Sequence, residues 1–224
     1  MKKTQRSNRL ILIGGPIASG KSTVALRLAN RLNIKNIVHT DTLRNTLRYV
    51  TTEKDTIHYS SYRCYKRYGN PTKYNIRKAF IEQCVILRPL VDSIIDEANE
   101  FGKDTIIEGV NLLPHLYYSL LENKECTMVM LDIQDKKEHL KRFHKRSKTT
   151  YRNKPKHYYK PHIKQIREVR NILVQDAEDQ NIDIIESSAS CHSSLAYLVY
   201  QREAFLRSGL GNGVRGRHAY CTKA

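Results

Sequence analysis

The segment from Gly15 to Ser22 has the form G-x-x-x-x-G-K-[ST], and it constrains this chain more than any other feature in it. An apolar run, Leu10 to Ile13, precedes it, and Val24, Leu28 and Leu32 follow at helical spacing, so the loop joins a strand to an amphipathic helix. Glycines at these places let the backbone curl until successive N–H groups converge on a phosphate, and the helix N-terminus adds its positive dipole end. Gly15, Pro16, Ile17, Ala18, Ser19, Gly20, Lys21, Ser22 and Thr23 are therefore expected to hold a nucleotide. Lys21 would reach the β and γ oxygens, and the Ser22 hydroxyl would take a place on Mg²⁺. ATP, or GTP, with Mg²⁺ is the expected cofactor pair.

The rest of the chain alternates short apolar runs with helical patterns, the signature of a parallel sheet between layers of helices. Strands are expected over 9–13, 36–40, 105–108, 127–131 and 182–185. A long helix carries a stripe at Ile76, Phe80, Cys84, Leu87, Val91, Ile94, Ala98 and Phe101. Pro89 should kink that helix or divide it in two. Further helices are expected over 136–147, opened by Asp135 and Glu138 in capping-box spacing, over 162–180 and over 194–206. The expected fold class is α/β: a P-loop fold built as a three-layer αβα sandwich with a central parallel five-stranded sheet. One domain, residues 1–207, would include an arginine-rich lid at about 142–162, leaving a basic, glycine-rich tail at 208–224 that is expected to be disordered.

Small-molecule and nucleic-acid kinases carry an acidic residue after the second strand and an arginine-rich lid, and this chain has both. In "VHTDTLRNTLR", Asp41 and Arg44 share a helix face at the carboxyl end of a strand. The carboxylate can take the proton of an attacking hydroxyl and the guanidinium can clamp an acceptor's phosphate; the alternative is a helix N-cap beside a solvated arginine. "TIIEGVN" would bring Glu108 to the loop to hold an Mg²⁺ water, unless it is a buried glutamate paired with a cation. From Lys141 to Arg170 the chain gathers +11 of its net +17 charge, and Arg142 and Arg146 lie four apart on one helix face. A lid there would bring both arginines to the transferring phosphoryl group. "IHYSSYRCYKRYGNP" interleaves tyrosines with cations, where Ser60 and Ser61, with Arg63 or Lys66, suit an anionic acceptor. The same segment also reads as a base-stacking surface, or as aromatic packing under a loop.

A net charge of +17 implies a strong positive field and anionic partners, either a small phosphorylated substrate or nucleic acid. Five cysteines with no C-x-x-C pair and an odd count argue against a zinc site or a disulfide framework, and point to a reducing, cytoplasmic setting. The apolar run near the start is too short for a signal sequence or a membrane span. A soluble protein with no membrane partner is expected, and the oligomeric state is not legible here.

The stretches "GGPIASGKST", "HTDTLR", "HYSSYRCYK", "IIEGVNLLP" and "DIQDKKEHLKRFHKR" together resemble the P-loop 2-phosphoglycerate kinases, small-molecule kinases related to the polynucleotide kinases, which share D-x-x-R. The resemblance implies ATP-dependent phosphorylation of the 3-hydroxyl of 2-phosphoglycerate to 2,3-bisphosphoglycerate. It also implies roles: Gly15, Gly20, Lys21, Ser22 and Thr23 on the nucleotide, Asp41 and Arg44 facing the acceptor, Ser60, Ser61 and Tyr62 lining its pocket, and Arg142 and Arg146 in the lid. Lys21, Asp41, Arg142 and Arg146 would be the catalytic set, Ser22 and Glu108 the metal side, with Glu108 and Asn111 also near the acceptor. Asn111 stands where the family pattern has histidine. The chain is expected to lack the amino-terminal regulatory module of some members. The competing reading is a kinase for the 5′-hydroxyl of RNA or DNA; a non-enzymatic RNA-binding protein fits less well with Lys21, Ser22 and Asp41 all in place.

Overall fold

A computed structural model of the chain describes residues 8–51, 55–123, 125–149 and 159–187. Five parallel strands, β1 (Leu10–Gly14), β2 (Asn36–His39), β3 (Thr105–Gly109), β4 (Thr127–Asp132) and β5 (Asp183–Glu186), form one sheet in the order β2-β3-β1-β4-β5. Each lies within a residue or two of its expected place. Six helices connect and cover them: α1 (Lys21–Leu32), α2 (Thr40–Val50), α3 (Lys73–Glu100), α4 (Tyr118–Glu122), α5 (Lys136–Thr149) and α6 (Ile163–Asp179). Among the described residues no helix is long and apolar enough to cross a membrane.

Strand alternation divides the core into two layers. Leu10, Leu12, Ile107, Met128 and Met130 face the layer that α3 and α6 cover. Ile11, Ile13, Ile106, Val129 and Leu131 face Val24, Ala25 and Leu28 of α1. β1, with a neighbour on each edge and helices on both faces, is buried throughout, and this is why "LILIG" reads as an unbroken apolar run. The loop after β1 therefore leaves the centre of the sheet at its carboxyl edge, where open α/β sheets bind ligands.

α3 is one helix and Pro89 does not divide it. A proline removes one helical hydrogen bond, but the stripe from Ile76 through Phe80, Leu87 and Val91 to Ile95 and Ala98 stays buried across the break. Ile95 is the buried residue of that turn with Ile94 packed against the core beside it, and Phe101 lies beyond the helix end in solvent. Asp135 opens α5 by accepting from the Lys137 N–H at 2.8 Å. The expected helix at 194–206, the tail at 208–224 and the middle of the expected lid lie outside the described residues.

Candidate active site

The loop after β1 is built from unusual backbone. Gly15 has φ +143°, and a Cβ there would stand 2.4 Å from the Leu131 carbonyl oxygen, so two separate constraints require glycine. Ala18 (φ +66°) and Gly20 (φ +92°) are also left-handed, and α1 starts at the next residue with its free N–H groups facing the loop. This is the strand–loop–helix backbone that the motif predicts for a phosphate cradle.

Lys21 is 8% exposed and donates to the Pro16 carbonyl at 2.9 Å. Burial holds its pKa below the ordinary lysine value; Glu108 and Asp41 oppose that shift and Arg146 adds to it. Ser22 Oγ donates to Glu108 Oε1 at 2.7 Å, and His39 Nδ1 lies 2.5 Å from the same oxygen. Glu108, the next-to-last residue of β3, stands opposite His39 at the end of β2, so sheet register brings this pair together. A hydroxyl and a carboxylate side by side next to a phosphate cradle form an oxygen donor set that suits Mg²⁺, which uses one or two carboxylates with phosphate and water. His39 is the member of this group that sequence reasoning missed, because nothing in its spacing marks it.

On the acceptor side, His39 occupies the N-cap position of α2, so Asp41 lies in the first turn and is not the cap. The Asp41 side chain is 62% exposed and its carboxylate is 3.7 Å from the Arg44 guanidinium. Arg44 itself is buried, donating to the carbonyls of Ile57 at 3.1 Å and Tyr59 at 3.0 Å and to Asn45 Oδ1 at 3.0 Å. It holds the 3₁₀ turn Thr56–His58, one of four such segments among the described residues, against α2, a bracing role beside the expected phosphate clamp. Arg48, one turn later, also lines the cavity. Ser60, Ser61 and Tyr62 form the facing wall, with Arg63 beside them.

Asn111 corrects an expectation. It is 2% exposed and donates to Gln83 Oε1 at 3.0 Å, and Gln83 donates in turn to the carbonyls of Thr56 and Tyr59. It props the segment leading into the Ser60–Tyr62 wall from behind instead of lining the cavity. A buried amide of this kind needs both of its neighbours in place, and that pairing is invisible in a linear sequence.

The two arginines of α5 also separate. Arg146 lines the cavity beside Lys21. Arg142 does not; it donates to Ser187 Oγ at 2.9 Å and to the Ser187 carbonyl, and pairs with Glu138 at 3.2 Å. Here it ties α5 to the end of β5, because Ser187 and Glu138 lie within its reach and claim its guanidinium. Lys21 and Ser22 of the cradle, Asp41 of α2 and Ser60 to Tyr62 of the facing wall meet around one cavity of about 520 Å³. A phosphate held on the cradle and a hydroxyl held near Asp41 would be neighbours there.

No family model matches the chain. It is 33% identical over 181 residues to a protein of Pyrococcus horikoshii named 2-phosphoglycerate kinase, a match covering 80% of this chain and 59% of that protein. A protein of the same name from Methanopyrus kandleri is 30% identical over 182 residues, covering 80% and 56% of the two chains. The chain thus spans little more than half the length of these relatives. Among solved structures, shikimate kinase from Acinetobacter baumannii in complex with shikimate superposes with a TM-score of 0.52 over 92% of this chain and 97% of its own, at 14% identity, a likeness of fold.

Proposed function

We propose, from its similarity over 80% of its length to archaeal proteins named 2-phosphoglycerate kinase, that this chain is an ATP-dependent phosphotransferase acting on the 3-hydroxyl of 2-phosphoglycerate. The observation that carries this reading is the shared cavity, lined at once by Lys21 and Ser22, by Asp41 and by Ser60 to Tyr62. In the reaction the 3-hydroxyl oxygen attacks the γ-phosphorus, the new O–P bond forms as the bond to the β-phosphate oxygen breaks, and ADP leaves. Asp41 accepts the hydroxyl proton. The cradle N–H groups and Lys21 hold the β and γ oxygens, and Arg146 faces the charge that spreads over the transferring group. Ser22 and Glu108 would hold Mg²⁺, which when bound neutralises phosphate charge. Arg48 and Arg63 at the wall suit the acceptor's own phosphate and carboxylate. Most of the rate would come from positioning and electrostatics.

One observation favours a nucleic-acid acceptor as the second reading. Tyr49, next to the cavity residue Arg48, is 80% exposed, with the Arg48 guanidinium 5.1 Å from its ring centroid, an arrangement on which a base can stack. One assay separates the two: labelled ATP and Mg²⁺ offered with 2-phosphoglycerate and with a short 5′-hydroxyl oligoribonucleotide, with Lys21→Ala as the blank. Label on the glycerate supports the first reading. Label on the oligonucleotide alone replaces it with the second.

A further inference from the structure

α5 touches the phosphate cradle through a buried side chain that the reaction scheme leaves unused. His139 is fully buried, and its Nε2 lies 2.8 Å from the Ile17 carbonyl oxygen. A carbonyl can only accept, so Nε2 carries the hydrogen and donates. Nδ1 is then the unprotonated nitrogen, buried and without a hydrogen-bond partner among the described residues.

The direction of this bond matters more than its strength. In a trans peptide the C=O and N–H point to opposite sides, and the described chain has no cis bond. A carbonyl of Ile17 drawn toward α5 therefore turns the Ala18 N–H the other way. Ala18 sits at φ +66°, a left-handed conformation disfavoured for alanine, so the peptide is held in an orientation that local preference does not supply. The imidazole is itself held in place: it stacks on Phe143 at 4.6 Å, Phe143 stacks on Tyr159 at 4.9 Å, and Tyr159 meets the edge of Tyr62 at 6.1 Å. The stack runs from the cradle to the acceptor wall.

We propose that His139 is a positioning residue of the nucleotide cradle, whose Nε2–H acts through the Ile17 carbonyl to set the direction in which the Ala18 N–H meets a bound phosphate. The inference rests on the cradle holding a nucleotide and on nothing about the acceptor. The test is calorimetric titration of a Mg²⁺-bound, non-hydrolysable ATP analogue into the full chain and its His139→Gln and His139→Asn variants. The glutamine amide reaches as far as Nε2 and the asparagine amide only as far as Nδ1, while both lose the ring stack. His139→Gln should stay within about twofold of the parent and His139→Asn should bind about five- to tenfold more weakly, the worth of one hydrogen bond, at matched thermal stability. Equal affinities for the two variants overturn the inference and leave the proposed function standing. An unsubstituted chain that binds no analogue overturns both. If the amide variants do not fold, His139→Phe, which keeps the stack and lacks the donor, decides the point, and unchanged affinity overturns the inference.

Discussion

Two carboxylates stand at the carboxyl ends of neighbouring parallel strands, and their surroundings give them different work. Glu108 is buried and already takes the Ser22 hydroxyl and the His39 ring on one oxygen. Asp41 is mostly exposed, with the Arg44 guanidinium 3.7 Å away, and keeps its lone pairs available to an incoming hydroxyl. A general base contributes roughly 10²- to 10⁴-fold, so Asp41→Asn should lower kcat by about that factor. Calorimetry should find its nucleotide affinity unchanged, because the cradle does not depend on the carboxylate; steady-state turnover equal to the parent's would remove Asp41 from the proton path. Lys21, Ser22 and Asp41 were legible in the sequence because their chemistry is tied to spacing along one strand, loop and helix. The bracing of Arg44 was not, since the carbonyls of Ile57 and Tyr59 that claim it belong to a turn whose place depends on α3 through Gln83. Asn111 was misread for the same reason: position after a strand end does not say which side of a wall a side chain occupies.

At the scale of elements, the joint between β3 and α2 decides where Asp41 stands. Gly109 lies beside Gly14 in the sheet register, and a Cβ on Gly109 would fall 1.7 Å from Thr40 Oγ1 and 2.6 Å from Thr40 Cβ. Thr40 is fully buried as the first residue of α2 and cannot move aside without carrying the helix start with it. Overpacking of this kind costs roughly 1–3 kcal/mol or more, so Gly109→Ala should lower the thermal midpoint clearly, with Thr40→Gly on the same chain recovering part of the loss. An unchanged midpoint would mean that the start of α2 yields freely. A second consequence concerns α5. Burial holds the His139 pKa down to about 4; the bond to the Ile17 carbonyl and Asp132 of β4 oppose the shift, while Arg167 of α6 and Arg142 of α5 add to it. The unfolded chain takes up the proton near pH 6.5 and the folded chain refuses it until about pH 4. Stability is therefore fully present above pH 6.5 and falls as pH drops toward 4, by about 3 kcal/mol at most. Urea unfolding across that range should show this slope in the parent and a flatter one in His139→Gln; identical slopes would show that other groups carry the acid sensitivity.

Over the whole molecule, the sheet and its order of elements were readable because period-2 and period-3.6 patterns report burial on one or two faces, and of the two outcomes that Pro89 allowed, a kink or a division, packing excludes the division. Charge was less readable. The run from Lys141 to Arg170 has the composition of a lid, yet Arg142 holds Ser187, Arg167 holds the carbonyls of Ile133 and Gln134, and Arg170 pairs with the buried Asp132. Composition counts cations without saying which are already spent on carbonyls and carboxylates at the ends of β4 and β5. Among the described residues, Arg146 is the arginine of that run that lines the cavity. The net +17 must therefore be divided between internal bracing and an outward field, and ionic strength measures the outward share. A strand that follows a basic surface displaces a counterion at each phosphate contacted, so six or more contacts would cost about 10³-fold or more in affinity between 50 and 200 mM salt. A small anion enclosed by a few cavity cations meets them within the Debye length, about 8 Å at physiological salt, and its KM should rise only a few-fold over the same range. Initial rates with 2-phosphoglycerate at both salt concentrations are expected to follow the shallow dependence. A steep one would mean that cations well outside the cavity take part in capturing the acceptor, and would move the balance toward a nucleic-acid strand lying across Arg48, Tyr49 and Arg63.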